Sequence, residues 1–159
     1  MSQLTQIPEE LKSYAQWVVW KAVERDGKTT KVPYSPKTGR PASVTNPADW
    51  TDFDSAMAVQ GYYSGIGFVL TKDDPYVCID LDPTEDKDVI DSQEEIFRTL
   101  DSYSEISPSG KGLHIFVKGN VPAGRKKKGV EIYPHERYIT MTGNVFHPAP
   151  IRSVNGELH

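Results

Sequence analysis

Two aspartates one residue apart end an otherwise apolar run, Tyr76-Val77-Cys78-Ile79-Asp80-Leu81-Asp82. In an extended chain, side chains alternate between faces, so Cys78, Asp80 and Asp82 share one face and Val77, Ile79 and Leu81 the other. Same-face residues at i and i+2 stand about 6.6 Å apart along a strand, and flexible carboxylates at that spacing can lean over a pair of ions about 3.5–4 Å apart. Without a cation the two acids repel and one carboxyl tends to keep its proton, whereas a divalent ion removes the repulsion. An Asp-x-Asp pair by itself is also what a solvated strand end looks like. Its weight therefore depends on what the rest of the chain brings beside it.

Two later segments repeat the design. Alternation in Leu113-His114-Ile115-Phe116-Val117-Lys118 sets His114, Phe116 and Lys118 against three aliphatics, and in Val130-Glu131-Ile132-Tyr133 it sets Glu131 and Tyr133 against Val130 and Ile132. If the three strands neighbour one another in a sheet whose aliphatic face packs on helices, Asp80, Asp82, Glu131 and His114 converge on the open face. Three carboxylates supply the oxygen ligands that Mg²⁺ or Mn²⁺ prefers. Two such ions suit in-line displacement at a nucleotide α-phosphate, activating an attacking hydroxyl and stabilising the leaving pyrophosphate.

A triphosphate needs further donors. The turn-rich stretch Ser107-Pro108-Ser109-Gly110-Lys111-Gly112 runs into the His114 strand and offers backbone N–H groups, hydroxyls and the Lys111 charge, with His114 as a directional donor. It is not a Walker sequence, because the Gly-x-x-x-x-Gly-Lys spacing is absent. Each feature has a plainer reading: a packed histidine, an exposed strand glutamate, a tight turn. A second basic stretch, Arg125-Lys126-Lys127-Lys128, reads either as a solvated loop or as a template or primer contact.

The elements that must hold these residues follow from periodicity and punctuation. A short helix over 8–14 precedes a strand from Trp17 to Ala22, a turn at Gly27, and a return through Lys31-Val32-Pro33-Tyr34. Asn46-Pro47 reads as a helix cap, with an apolar stripe of Phe53, Ala56 and Met57 leading to about Gln60. The apolar run 65–70, joined to the acidic strand by the turn Lys72-Asp73-Asp74-Pro75, is expected to pair with it antiparallel. Asp91 is expected to cap the next helix, whose apolar face is Ile96, Phe97 and Leu100, ending near Ser102. The 122–129 stretch reads as a loop, and strands at 130–133 and 137–142 close the ordered part. No repeat or domain-scale linker interrupts the chain.

At 159 residues with 37% hydrophobic and 25% charged content, the composition is that of one ordinary globular domain. A net charge of −4 argues against a general polyanion-coating protein but not against a local basic patch. One cysteine excludes an internal disulfide and cysteine-rich zinc sites. No signal-type run or membrane span is visible, so the reading is a cytoplasmic protein without a membrane partner.

Together these motifs resemble the primase-polymerase domain of the archaeo-eukaryotic primase superfamily, especially the N-terminal domains of phage and plasmid replication proteins. Cys78-Ile79-Asp80-Leu81-Asp82 is similar to its first motif, the 107–116 stretch ending in His114-Ile115-Phe116 to its second, and Val130-Glu131-Ile132-Tyr133 to its third. Arg137-Tyr138-Ile139-Thr140-Met141-Thr142-Gly143 and the region from Trp17 to Trp50 also look like phage members. Two positions depart from the pattern: Gly112 stands where serine is frequent, and Glu131 where aspartate is common. The resemblance implies an α+β (α/β) fold in which an N-terminal α/β unit joins an RRM-like, mainly antiparallel sheet with helices on one face, as a single catalytic domain over 1–159.

It further implies template-directed nucleotidyl transfer with two divalent ions, Mg²⁺ or Mn²⁺, on Asp80, Asp82 and Glu131. Nucleoside triphosphates would be held by Ser107, Ser109, Gly110, Lys111, His114 and Arg137, and a DNA template and primer by Arg125, Lys126, Lys127 and Lys128. A helicase domain or protein is the natural further partner of such a core. Two other classes stay open on the residues alone: a metal-dependent Asp-x-Asp glycosyltransferase, and a non-catalytic nucleic-acid or nucleotide-binding module.

Overall fold

The computed structural model describes residues 3–154. Its elements run α1 (Glu9–Lys12), β1 (Trp17–Arg25), β2 (Lys28–Tyr34), α2 (Phe53–Val59), β3 (Gly65–Leu70), β4 (Tyr76–Leu81), α3 (Lys87–Leu100), β5 (Ser104–Ile106), β6 (Leu113–Lys118), β7 (Arg125–Lys127), β8 (Val130–Tyr133), β9 (Arg137–Met141), β10 (Val145–His147) and β11 (Arg152–Ser153). The fold is mixed α+β, and its sheets are antiparallel except where β11 joins β6. No helix among the described residues is long and apolar enough to cross a membrane.

The chain divides into two compact units. One holds Ile7–Leu70 and Glu136–Met141; the other holds, among the described residues, 3–6, Thr71–His135 and 142–154. In the first, β2-β1-β3-β9 form an antiparallel sheet. Register puts Trp17 opposite Phe68 and Phe68 opposite Ile139 on one face, where Trp17 meets the α2 residue Phe53 edge-on at 5.0 Å and its indole N–H donates to Leu11 O. Val18, Val69 and Tyr138 face the other way onto Trp50, Ala42 and Val44. Asn46 does cap Pro47–Asp49, but as a short 3₁₀ turn; α2 begins only after Asp52, whose carboxylate accepts from Ser55 N.

The second unit is built on the strand order β10-β5-β6-β4-β8-β7. Its aliphatic face is continuous because register stacks like on like: Val77 opposite Val117, Ile79 opposite Ile115 and Ile132, and Leu81 opposite Leu113 and Val130. Ile96, Phe97 and Leu100 of α3 cover that face.

Three further expectations change. β3 and β4 do not pair; they belong to different sheets, because Asp74 takes the amides a hairpin ladder would use, accepting from Thr71 N at 2.8 Å and Tyr76 N at 2.8 Å. The α3 cap is Asp86 rather than Asp91, accepting from Asp88 N and Val89 N. The basic stretch is not a loop, since Arg125–Lys127 forms β7 by pairing with β8. The strand beginning at Arg137 joins β3 in the other sheet.

The β7–β8 turn depends on Gly129, at φ +76° with Val89 Cγ1 only 2.5 Å from where a Cβ would stand. Gly129→Ala is expected to cost at least about 2 kcal/mol, from left-handed backbone strain plus overpacking. Urea unfolding reads this as a lower midpoint, and an unchanged midpoint would mean that the turn does not lie against α3.

Candidate functional site

The three chemistry-bearing strands are neighbours, with β6 and β8 flanking β4. Asp80 is in direct register with His114 on one side and Glu131 on the other. The row continues outward at both ends, since His114 faces Glu105 on β5 and Glu131 faces Lys126 on β7. Cross-strand partners share a face and bring their Cβ atoms to about 4.5–5.5 Å. Five ionisable side chains thus cross the sheet in one line, on the face opposite α3.

Contacts within the row follow charge. His114 Nε2 lies 3.7 Å from Asp80 Oδ1. Lys126 Nζ lies 3.6 Å from Glu131 Oε1, and the Tyr133 hydroxyl donates to Glu131 Oε2 at 2.7 Å. The face is not open along its length: Cys78, Phe116 and Glu105 are fully buried, with the Tyr103 ring 6.1 Å from Phe116 and the 142–143 backbone over Glu105. Burial pushes the Cys78 thiol well above its usual range, with the Asp80 and Glu105 charges adding to it. Asp80 and Glu131 retain partial access, with about a fifth of each side chain exposed (20% and 19%).

Asp82 follows the end of β4 and is anchored by its backbone. Its N–H donates to Gly129 O at 3.0 Å, and the Gln93 side-chain amide of α3 bonds both Asp82 O, at 2.7 Å, and Gly129 O, at 2.9 Å. One helix residue thereby ties the acidic segment to the β7–β8 turn.

The 107–112 stretch is a self-bonded turn at the end of β4. Ser107 N donates to Gly112 O, Gly110 N to Ser107 O, Gly112 N to Ser107 Oγ and Lys111 N to Ser109 Oγ, while the two serine oxygens share a bond of 3.1 Å. The turn's own amides are therefore largely used internally, which leaves fewer backbone N–H groups for phosphate than the sequence suggested. Each hydroxyl has one proton, so the serine pair keeps one O–H to direct elsewhere, and Lys111 is exposed. Gly112 also accounts for the missing serine. A Cβ there would lie 2.9 Å from Leu81 O and 3.2 Å from Ser107 Oγ, so the turn passes against the very segment that carries Asp80 and Asp82.

Several expected residues stand elsewhere. Arg137 lies on β9, in the other compact unit, and is not part of this row. The basic stretch is split by strand alternation: Lys126 shares the face of Glu131, whereas Arg125 pairs with Ile132 and Lys127 with Val130 on the helix side. Lys128 is held by Asp86 at 2.9 Å, which keeps that carboxyl below its usual range. Arg125 and Lys127 instead border a groove of about 840 Å³ between α3 and the β7–β8 hairpin, floored by Ile79, Val130 and Ile132.

Sequence reasoning missed Glu105. It accepts from Tyr103 Oη at 2.7 Å, Thr142 N at 2.8 Å and Gly143 N at 3.1 Å, and burial raises its carboxyl above the usual range despite those donors. Its strand, β5, is only three residues long, so no periodicity in the sequence marked it.

The donor set is right in kind for a hard divalent cation: carboxylate oxygens from adjacent strands, with a third acid one residue past β4. Among the described residues no group of three or more His, Cys, Asp or Glu side chains is already gathered around one point. Lys126 and Tyr133 meanwhile engage Glu131.

No protein-family model matches the chain. It is 45% identical over 148 residues to a DNA primase-polymerase of Nitratiruptor phage NrS-1, an alignment covering 86% of this chain and 20% of that protein. The chain thus spans about a fifth of the length of the curated relative it matches, and identity at that level supports a primase-polymerase relationship.

Proposed function

We propose that this chain carries the nucleotidyl-transfer centre of a DNA-copying enzyme, joining nucleoside triphosphates to a primer strand on a DNA template. The observation that carries the reading is the register of Asp80 between Glu131 and His114, with the 107–112 turn against the same strand end. The likeness to a phage DNA primase-polymerase supports it. Asp80, Asp82 and Glu131 would hold Mg²⁺ or Mn²⁺, which when bound polarises the α-phosphate and offsets charge on the leaving pyrophosphate.

The chain's own residues do the positioning. Lys111 and the serine hydroxyl pair place positive charge and one O–H at the edge where a triphosphate would lie. His114 is fixed by its strand and lies beside Asp80, a place from which its N–H donates to a phosphate oxygen. Lys126, tethered to Glu131 by register, is placed to neutralise a nucleic-acid phosphate on the same face.

Primer extension with Mg²⁺ or Mn²⁺ tests the reading. Templated extension is the expected result. Transfer from nucleotide sugars without extension would replace it with a glycosyltransferase, and metal-independent, salt-sensitive DNA binding without turnover would replace it with a binding module.

A hydrogen bond to a charged group contributes about 1.5–3 kcal/mol. His114→Ala is therefore expected to lower kcat/KM for the nucleotide roughly 10- to 100-fold, chiefly through KM if the contact is made in the ground state. Steady-state extension at varied nucleotide concentration measures it; an unchanged kcat/KM would remove His114 from the site.

A further inference from the structure

One stretch of the N-terminal unit is rich in positive charge that the transfer chemistry does not use. Residues 27–48 contain Lys28, Lys31, Lys37 and Arg40 and no carboxylate, in a chain whose net charge is −4. Part of this stretch meets aromatic rings. Lys21 on β1 shares a sheet face with Tyr34 on β2, because Val19 is in register with Tyr34 and Lys21 with Val32. Tyr34 and Tyr63 lie 5.9 Å apart with planes inclined by 38°, and Lys21 Nζ stands 6.0 Å and 5.4 Å from their centroids.

The turn after β2 is held by its own hydrogen bonds and comes back onto this pair. Ser35 N donates to Arg40 O at 2.8 Å, Gly39 N to Ser35 O at 2.9 Å, and Lys37 N to Ser35 Oγ at 3.2 Å, with Ser35 itself fully buried. Gly39, at φ +74°, approaches the Tyr63 hydroxyl; a Cβ there would sit 3.7 Å from it. Lys37 and Arg40 are exposed on this turn while both tyrosines are half-buried. Among the described residues, none of Lys21, Lys37 and Arg40 is in an ion pair.

We propose that Lys21, Tyr34, Tyr63, Lys37 and Arg40 form a binding site for single-stranded nucleic acid. Aromatic faces beside exposed cations are what a single strand requires: bases stack on the rings without regard to sequence, and lysine or arginine neutralises the backbone. A merely solvating stretch would serve equally well with acids interspersed, and residues 27–48 contain none. The turn's internal bonds fix Lys37 and Arg40 relative to the rings, which limits the ordering cost on binding. Assigning the bound strand as template rests on the nucleotidyl-transfer reading; the binding itself does not.

The test is fluorescence anisotropy of a labelled oligothymidylate with this protein, in EDTA and without nucleotide, at several salt concentrations. The unaltered chain binds, with affinity falling as salt rises. Lys37→Ala combined with Arg40→Ala weakens binding about tenfold and flattens the log–log salt slope by about 1.4, at roughly 0.7 per phosphate contact on a single strand. Tyr63→Leu weakens binding about fivefold or more with the slope unchanged. The site is overturned if the unaltered chain does not bind, or if the Lys37/Arg40 double variant binds as tightly with the same slope. Primer extension is scored separately, so normal extension with unchanged binding rejects this site alone, and binding without extension rejects only the transfer reading.

Discussion

Asp80→Asn is expected to leave the fold intact and to lower nucleotidyl transfer by at least about three orders of magnitude, ~4 kcal/mol of transition-state stabilisation. Asp80 is the one acid in register with both His114 and Glu131, so it stands at the centre of the row. Asparagine keeps its shape but removes the charge that would hold a cation. Stability has little reason to fall, because the carboxylate is half-buried beside a second acid and losing its charge relieves repulsion. Single-turnover extension together with a melting curve separates the two effects. A variant that extends primers within about tenfold of the unaltered chain would contradict the role given to Asp80.

Glu105→Ala is expected to do the reverse, damaging stability first. The side chain is fully buried and accepts from the Tyr103 hydroxyl and the amides of Thr142 and Gly143. Removing it leaves those donors buried without an acceptor, at about 1–3 kcal/mol each when unsatisfied, and adds a cavity. A loss of about 3–5 kcal/mol is a large share of a typical 5–15 kcal/mol and should lower the melting temperature by roughly 10 °C or more.

The pH dependence has a definite sign. Burial raises the Glu105 carboxyl above its ordinary value of 4.5, so folding favours its protonated form. The stability this adds is complete below that ordinary value and is lost as pH rises through the raised one. Glu105→Gln cannot titrate, so its stability deficit relative to the unaltered chain should narrow as pH rises through that window. A deficit that is constant with pH would show that Glu105 keeps an ordinary pKa.

The central row was legible because β4, β6 and β8 each put one aliphatic face against α3, and that burial forces the period of two from which the opposite face is read. Neighbourhood was harder. The 72–75 turn carries the residues of a hairpin, yet the Asp74 carboxylate satisfies the amides on both sides of it, leaving β3 and β4 in separate sheets. Arg137 pairs with Leu70, far away in sequence, and alternation names a face without naming a partner. β7 consists of Arg125, Lys126 and Lys127, poor strand formers held extended by β8. β5, β10 and β11 span only three, three and two residues, too short for any period to show. Glu105 was hidden for the same reason.

The most direct test of the transfer centre is a crystal structure of this chain grown with Mn²⁺ and a non-hydrolysable deoxynucleoside triphosphate, with anomalous scattering to locate the metal. The result expected is manganese among Asp80, Asp82 and Glu131, with the triphosphate along Ser109, Lys111 and His114. Manganese and phosphates on the opposite face, in the groove between α3 and the β7–β8 hairpin, would contradict it.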